Sequence, residues 1–278
     1  MAKMKLYYSP GSPYARKVRV VAMETRLDCK MEMVNVAVSP VVPNADVDKH
    51  NPIGKIPALS VKGMDLFDSP VICEYLDSLY KGRKLLPRKG RERWVALRLQ
   101  AMADGLLDAA ILTRYEGALR PKDKRWPDWI KGQTKKIEGV LAQLEAEAKS
   151  LKGKPTIGTI SVACALGYLD YRFAAMDWRA KHPKLAKWFN STAKTPAMKA
   201  TPPPAGLEPA RVTADEIIAC LGTRPLTLTD GRHAAAVALL GNYMAGSFVT
   251  TADGHGGTLI TEGSQMSNQQ LLLTQPRA

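Results

Sequence analysis

NPIGKIPALS at residues 51–60 and FDSP at residues 67–70 decide how this chain is read. Proline has no N–H to give to a sheet ladder, so Pro57 belongs at the first residue of the strand that PALS enters, with Ile56 held extended before it. A cis X–Pro bond occurs at only about 5–6% of such positions, so the surrounding pattern, not the proline, carries that expectation. If the bond is cis, the backbone of Ile56 is turned outward. In FDSP, Ser69 reads as a helix N-cap and Pro70 as the first helical residue.

Upstream, KLYYSPGSPYARKVRVVAMETR at residues 5–26 is a short β run, a Ser/Pro/Gly loop and an amphipathic helical pattern. Strands are predicted at 5–8, 31–36, 58–61 and 65–67, with VKGMD as the tight turn between the last two, and helices at 13–25 and 69–80. Residues 37–52 are rich in helix breakers and read as an irregular loop with one short helix. KGRKLLPRKG at 81–90 reads as a polar linker. Beyond it, apolar residues recur at helical spacing over RERWVALRLQAMADGLLDAAILTRYE and again over PDWIKGQTKKIEGVLAQLEAEAK. PTIGTISVACALGYLDYRF is apolar nearly all round in its first half, the mark of a buried central helix. HPKLAKWFNSTAKTPAMKAT at 182–201 is predicted to close the region with one more helix.

Three blocks in this order, SPGSPYARK, NPIGKIPAL and DSPVICEYLDSLY, resemble the soluble glutathione transferases, in a serine-type bacterial form, and the resemblance spans residues 1–201. It implies an α/β thioredoxin-like N-terminal domain over 1–81 and an all-α helical domain over 90–201. It also implies a cytoplasmic homodimer that conjugates glutathione, its co-substrate, to a small electrophile, with no metal. Family members usually enter the central helix through Ser/Thr-x-x-Asp, a capping box. Here those positions are Thr156 and Thr159, so a neutral hydroxyl replaces the acid and complements the helix dipole less well.

The chemistry of such a site is to present the glutathione sulfur as a thiolate, since a free thiol near pKa 8.5 is mostly protonated at neutral pH. A hydroxyl donating to the sulfur at a helix N-terminus achieves this without a general base. Ser12 stands where related members carry a nucleophilic cysteine and is the first choice for that donor; Ser9 is the second. Ser12 also reads as the N-cap of the helix beginning at Pro13, and both roles can hold together. A serine cannot form a mixed disulfide, which favours conjugation over thiol–disulfide exchange. The resemblance further implies that Ile56, before Pro57, pairs with the cysteinyl backbone. Asp68 and Ser69 would meet the γ-glutamyl end, and Lys55 the glycyl carboxylate. Family members often have Glu where this chain has Asp68. Tyr14, Arg114 and Tyr115 are candidates for the electrophile side. Two other readings stay open: a glutathione-dependent isomerase or dehalogenase, and a binding or regulatory protein of the same fold without turnover.

With 278 residues, 45% of them hydrophobic, the chain suffices for two domains with filled cores. Neither a run of 18 apolar residues nor a secretory h-region is present, so membrane insertion is not expected. Cys29, Cys73, Cys164 and Cys220 show no CxxC or metal spacing and read as free thiols. The net charge of +14 raises the question of nucleic acid. Its lysines are interspersed with acids and tryptophans, no recognised nucleic-acid motif accompanies them, and a basic surface equally steers small acidic ligands.

Composition changes after TPPP at 201–204. Lys199 is the last lysine and Trp188 the last tryptophan; beyond, Arg211, Arg224, Arg232 and Arg277 face Glu208, Asp215, Glu216, Asp230, Asp253 and Glu262. The positive excess therefore belongs to the region before the prolines. The Gly/Thr-rich residues 205–278 read as an unrelated, largely irregular and disordered extension, whose apolar run HAAAVALLGNYM is too small for a domain. Deleting residues 205–278 is expected to leave folding, dimerisation and glutathione binding intact. A large loss of melting temperature on truncation, or protease resistance of the extension in the full chain, would show that it is needed.

Overall fold

The computed structural model describes residues 4–204 and, beyond them, the backbone of four short strands; the chain divides into two compact units, residues 1–212 and 213–278. The first unit opens with strand β1 (Met4–Tyr8), helix α1 (Pro13–Glu24) and strand β2 (Met31–Asn35). A one-turn α2 (Ala45–Asp48), an antiparallel pair β3 (Ala58–Val61) and β4 (Met64–Leu66), and α3 (Ser69–Leu79) follow. The sheet order is β2-β1-β3-β4, with β1 parallel to β2 and antiparallel to β3. The β3–β4 turn is made by Lys62 and Gly63, both at positive φ (50° and 76°), as a two-residue hairpin requires.

Side-chain alternation divides the sheet between two cores. Leu6, Leu59 and Val61 face Val18 and Val21 of α1 and Ile72 and Leu76 of α3, all buried. On the opposite face Tyr7 and Ala58 pack with Val47 of α2 and with Ile56 in a smaller cluster. The bonds Ile56–Pro57 and Phe67–Asp68 are both cis.

The helical half comprises α4 (Gly90–Ala118), α5 (Pro127–Ala146), α6 (Ile157–Arg172), α7 (Trp178–Lys181), α8 (Pro183–Thr192) and α9 (Pro196–Lys199). α6 is the buried centre, as its apolar composition predicts. It crosses α4 closely at Gly158, where a Cβ would lie 2.5 Å from the Ala96 carbonyl oxygen. Its entry is a complete capping box: Thr159 N donates to Thr156 Oγ1, and Thr159 Oγ1 accepts from Thr156 N at 2.9 Å. The hydroxyl thus does the hydrogen bonding expected of the absent acid.

Two expectations need correction. Residues 182–201 form two helices, not one, because Pro183 and Pro196 each start a helix and neither can continue a preceding one. α3 is capped by Asp68, whose carboxylate accepts from Ser69 N, so Ser69 is the first helical residue and Pro70 the second. Asp and Ser compete closely as caps, and here the helix begins one residue earlier than the Ser-Pro pair suggests.

The segment between the halves is anchored. Leu85 and Leu86 are buried and donate their N–H groups to the carboxylate of buried Asp77 (2.8 and 3.3 Å), while the Leu85 carbonyl accepts from Ile157 N at 2.9 Å. Cys73 and Cys164 are buried free thiols and Cys29 is an exposed one; Cys220 lies outside the described residues. Among the described residues no helix is long and apolar enough to cross a membrane.

In the second unit, β5 (Leu226–Thr229) pairs with β6 (Ala234–Val237), and β7 (Phe248–Ala252) with β8 (Thr258–Glu262), both antiparallel. β6 thus takes Ala234–Val237 of the apolar run at 233–244. The rest of 205–278, and with it the expectation of an irregular, disordered extension, lies outside the described residues.

Asp77→Ala removes the acceptor for two buried amides, which costs about 2 kcal/mol, and thermal melting is expected to fall by roughly 4–8 °C. An unchanged melting temperature would mean that Leu85 and Leu86 hold the segment by burial alone.

Candidate functional site

Strand register brings three loops to one end of the sheet. Tyr7 lies opposite Ala58, and Leu59 opposite Leu66. The end of β1, the start of β3 and the end of β4 are therefore neighbours, each strand about 4.8 Å from the next. They carry, in that order, Ser9–Ser12, Ile56–Pro57 and Asp68–Ser69. Sequence reasoning nominated these residues separately; the fold sets them side by side.

Ser12 is the N-cap of α1, and its Oγ accepts from Ala15 N at 3.2 Å. Accepting leaves the hydroxyl proton available to another group. Ser9 begins the turn, its carbonyl accepting from Ser12 N at 3.0 Å. Ser12, not Ser9, lines a small cleft with Gly11, Arg16, Tyr168 and Pro203.

The second loop is organised by Asn51, which is buried. Its Nδ2 donates to the Lys55 carbonyl (2.8 Å), and its Oδ1 accepts from Ile53 N (3.0 Å). Gly54, at φ 67°, closes the loop in a conformation that other residues rarely adopt. Lys55 is exposed, with its side chain in solvent, while Ile56 and Pro57 are buried. Behind this loop the Tyr7 hydroxyl meets His50 Nε2 at 2.7 Å, and His50 Nδ1 meets Asp65 at 3.0 Å, pinning the α2 segment to the sheet.

At the third loop Asp68 is exposed and Ser69 fully buried. The Ser69 hydroxyl is a buried polar group with no hydrogen-bond partner among the described residues. Such orphans are rare, because burying a hydroxyl without a bond costs on the order of 1–3 kcal/mol. This one sits in the first turn of α3, where N–H groups and the helix dipole favour an anion.

Acids gather beside it. Asp104 and Asp108, one turn apart on α4, and Asp68 all act on Tyr14. Tyr14 donates to Asp108, and its hydroxyl is held far above the ordinary phenol range by burial first and by these carboxylates second. Tyr14 thereby ties the start of α1 to α4. Lys17, 1% exposed, meets both oxygens of Asp104 at 2.7 and 2.9 Å. Burial nevertheless raises the pKa of Asp104, against the pull of Lys17.

Arg114 and Tyr115 lie further along α4, and on α6 burial pushes the Tyr168 phenol up to about 12, against the pull of Arg114 and Arg172. Arg172 lies over the Tyr171 ring at 4.1 Å, and a Cβ on Gly11 would be 3.7 Å from both side chains. Sequence reasoning missed this trio on α6, although 168, 171 and 172 share one face of a helix by spacing. It also missed Asn51, Arg16, Asp104 and Asp108. The pair at 104 and 108 was legible as an i, i+4 repeat, whereas nothing local marks Asn51.

Comparison with known proteins matches residues 6–84 to the glutathione S-transferase N-terminal domain and residues 127–191 to the glutathione S-transferase C-terminal domain. The chain is 32% identical over 205 residues to the uncharacterized GST-like protein YibF of Escherichia coli K12, an alignment covering 72% of this chain and 99% of the relative. A glutathione transferase family member from Pseudomonas fluorescens, solved with bound glutathione, is 46% identical with a TM-score of 0.72, covering 73% of this chain and all of that one. The same P. fluorescens protein has been solved with S-(propanoic acid)-glutathione (TM-score 0.69, same identity and coverage). With both domains matched and the fold shared, the chain belongs to the glutathione S-transferase family.

Proposed function

We propose that this protein binds glutathione across the three loops and conjugates its thiolate to small electrophiles. The orphaned hydroxyl of Ser69 at the start of α3 carries the reading, since a γ-glutamyl carboxylate there would supply its missing hydrogen bond and meet the helix dipole. Asp68, exposed beside it and backed by Asp104 and Asp108, suits the ammonium of the same residue. The order of the loops follows the tripeptide: γ-glutamyl at Asp68 and Ser69, the cysteinyl backbone at Ile56 and Pro57, the sulfur at Ser12. Lys55, on the loop that Asn51 holds, would meet the glycyl carboxylate. That the P. fluorescens relatives bind glutathione and S-(propanoic acid)-glutathione supports the assignment.

In the step itself the Ser12 hydroxyl donates to the sulfur while its Oγ accepts from Ala15 N, and the α1 dipole adds a favourable field. The thiol proton leaves to solvent, the sulfur lone pair forms the S–C bond, and in a substitution the C–X electron pair departs with X. The protein stabilises the nucleophile and positions it; no protein group is consumed. In keeping with the family, we assign it a cytoplasmic, detoxifying role as a homodimer.

Ser12→Ala is expected to lower conjugation of a general electrophile at neutral pH about ten- to a hundredfold, the worth of a charge-assisted hydrogen bond. Glutathione affinity should hardly change, and the rate should recover at higher pH. If Ser12→Ala is silent and Ser9→Ala abolishes activity, the donor is Ser9.

Asp68→Ala and Ser69→Ala are expected to weaken glutathione binding roughly tenfold or more by calorimetry, with smaller effects on saturated turnover. An unchanged dissociation constant in both would place the γ-glutamyl group elsewhere. Glutathione binding by the wild type, without turnover of any thiol-reactive electrophile, would replace the conjugation reading with that of a regulator.

A further inference from the structure

The α4–α5 connection presents a surface that the glutathione site does not use. Leu119, Trp126 and Trp129 are exposed there by 42%, 61% and 38%, and none of the three joins the buried core. The two indole rings lie against each other, their centroids 6.2 Å apart and their planes 25° from parallel. Buried Glu116 frames the connection: it accepts from Arg120 Nε at 2.7 Å and from Trp126 N at 2.8 Å, while Arg125 Nε donates to the Arg120 carbonyl at 3.2 Å. These bonds fix the backbone on both sides of the turn and spend Arg120 on Glu116. Around the indoles, Lys122, Lys124 and Lys131 are exposed and Arg125 is half-buried, and none of the four is in an ion pair among the described residues. Asp123 and Asp128 are the acids of residues 119–131.

Apolar rings held in water beside uncompensated cations fit a partner that is anionic and also offers a nonpolar boundary. An acidic lipid surface is both. Indole settles between headgroups and acyl chains, its ring shielded and its N–H wet. Leucine enters the same layer, and lysine and arginine meet the acidic headgroups. A single nucleic acid strand would use the cations and stack on an indole. It offers nothing to Leu119, however, and each indole already has one face turned to the other. We propose that the α4–α5 connection docks the protein on an anionic lipid surface, with Trp126, Trp129 and Leu119 entering the headgroup layer and Lys122, Lys124 and Arg125 facing the acidic lipids. The contact lies along the surface and needs no spanning helix, of which there is none among the described residues. It is independent of the glutathione reading.

The test is co-sedimentation of the full-length protein with vesicles of phosphatidylcholine alone and of phosphatidylcholine with about 30% phosphatidylserine. Binding is expected on the acidic vesicles at about 0.05 M salt, with a blue shift of the tryptophan emission, and at least about tenfold weaker at about 0.5 M salt or on the neutral vesicles. Replacing both indoles, Trp126→Ser with Trp129→Ser, should lower partitioning at least about tenfold. Lys122→Gln with Lys124→Gln should lower it about fivefold for each charge removed. These four side chains are exposed, so melting temperature and calorimetric affinity for glutathione should stay as in the wild type, which separates loss of docking from loss of fold. Failure of the wild type to bind acidic vesicles, or undiminished binding by both double variants, overturns the docking surface and leaves the glutathione site standing. Tighter binding of a single-stranded oligonucleotide than of the acidic vesicles overturns it in favour of nucleic acid.

Discussion

Helix α1 is shared by everything else in the first unit. Its inner face, Val18 and Val21, completes the core of the sheet, while its flank carries Arg16 and Lys17 into the helical half. Lys17 reaches Asp104 on α4, and Arg16 reaches the Met198 carbonyl at the end of α9 at 3.2 Å. A buried ion pair adds little net stability, but losing one partner strands the other charge at a cost of about 3–5 kcal/mol. The pairing therefore fixes how the two halves meet more than it holds them together. The packing is tight enough that a Cβ on Gly167 would fall 2.4 Å from Arg16 Nη1. The N-terminus of this helix is where Ser12 sits, so the candidate site inherits the rigidity of the junction.

The long α4 carries charge of both signs. It presents Asp104 and Asp108 beside Tyr14 and carries Arg114 and Tyr115 further along. Tyr14, two residues after Ser12, donates to Asp108 and so ties α1 to α4. On the proposed reading, the acidic end would receive the ammonium of glutathione. The overall charge of +14 says nothing of this arrangement, because it sums over both.

Cysteine chemistry plays no part in the described site. Burial pushes the Cys73 and Cys164 thiols up to about 12 and 11, so both stay protonated and act as small core residues.

The sequence by itself determined what depends on short-range rules. Pro57 had to open a strand, and Lys62-Gly63 had to turn. The apolar composition of α6 had to bury it, and Pro196 had to begin a new helix although the run around it suggests continuity. The Ser12, Ile56–Pro57 and Asp68–Ser69 loops were legible because their residues are caps and breakers with local consequences. Which residue caps α3 was not legible, since Asp68 and Ser69 serve almost equally as caps. The tertiary structure alone decided what meets across distance. It placed Asn51 under Lys55, Asp104 on Lys17 and the α6 face of Tyr168 and Arg172 against Gly11. These residues carry no local signature, because an asparagine, a lysine or a tyrosine reads alike at a surface and in a site. Only the register of the sheet and the crossing of α1 with α4 and α6 bring them together.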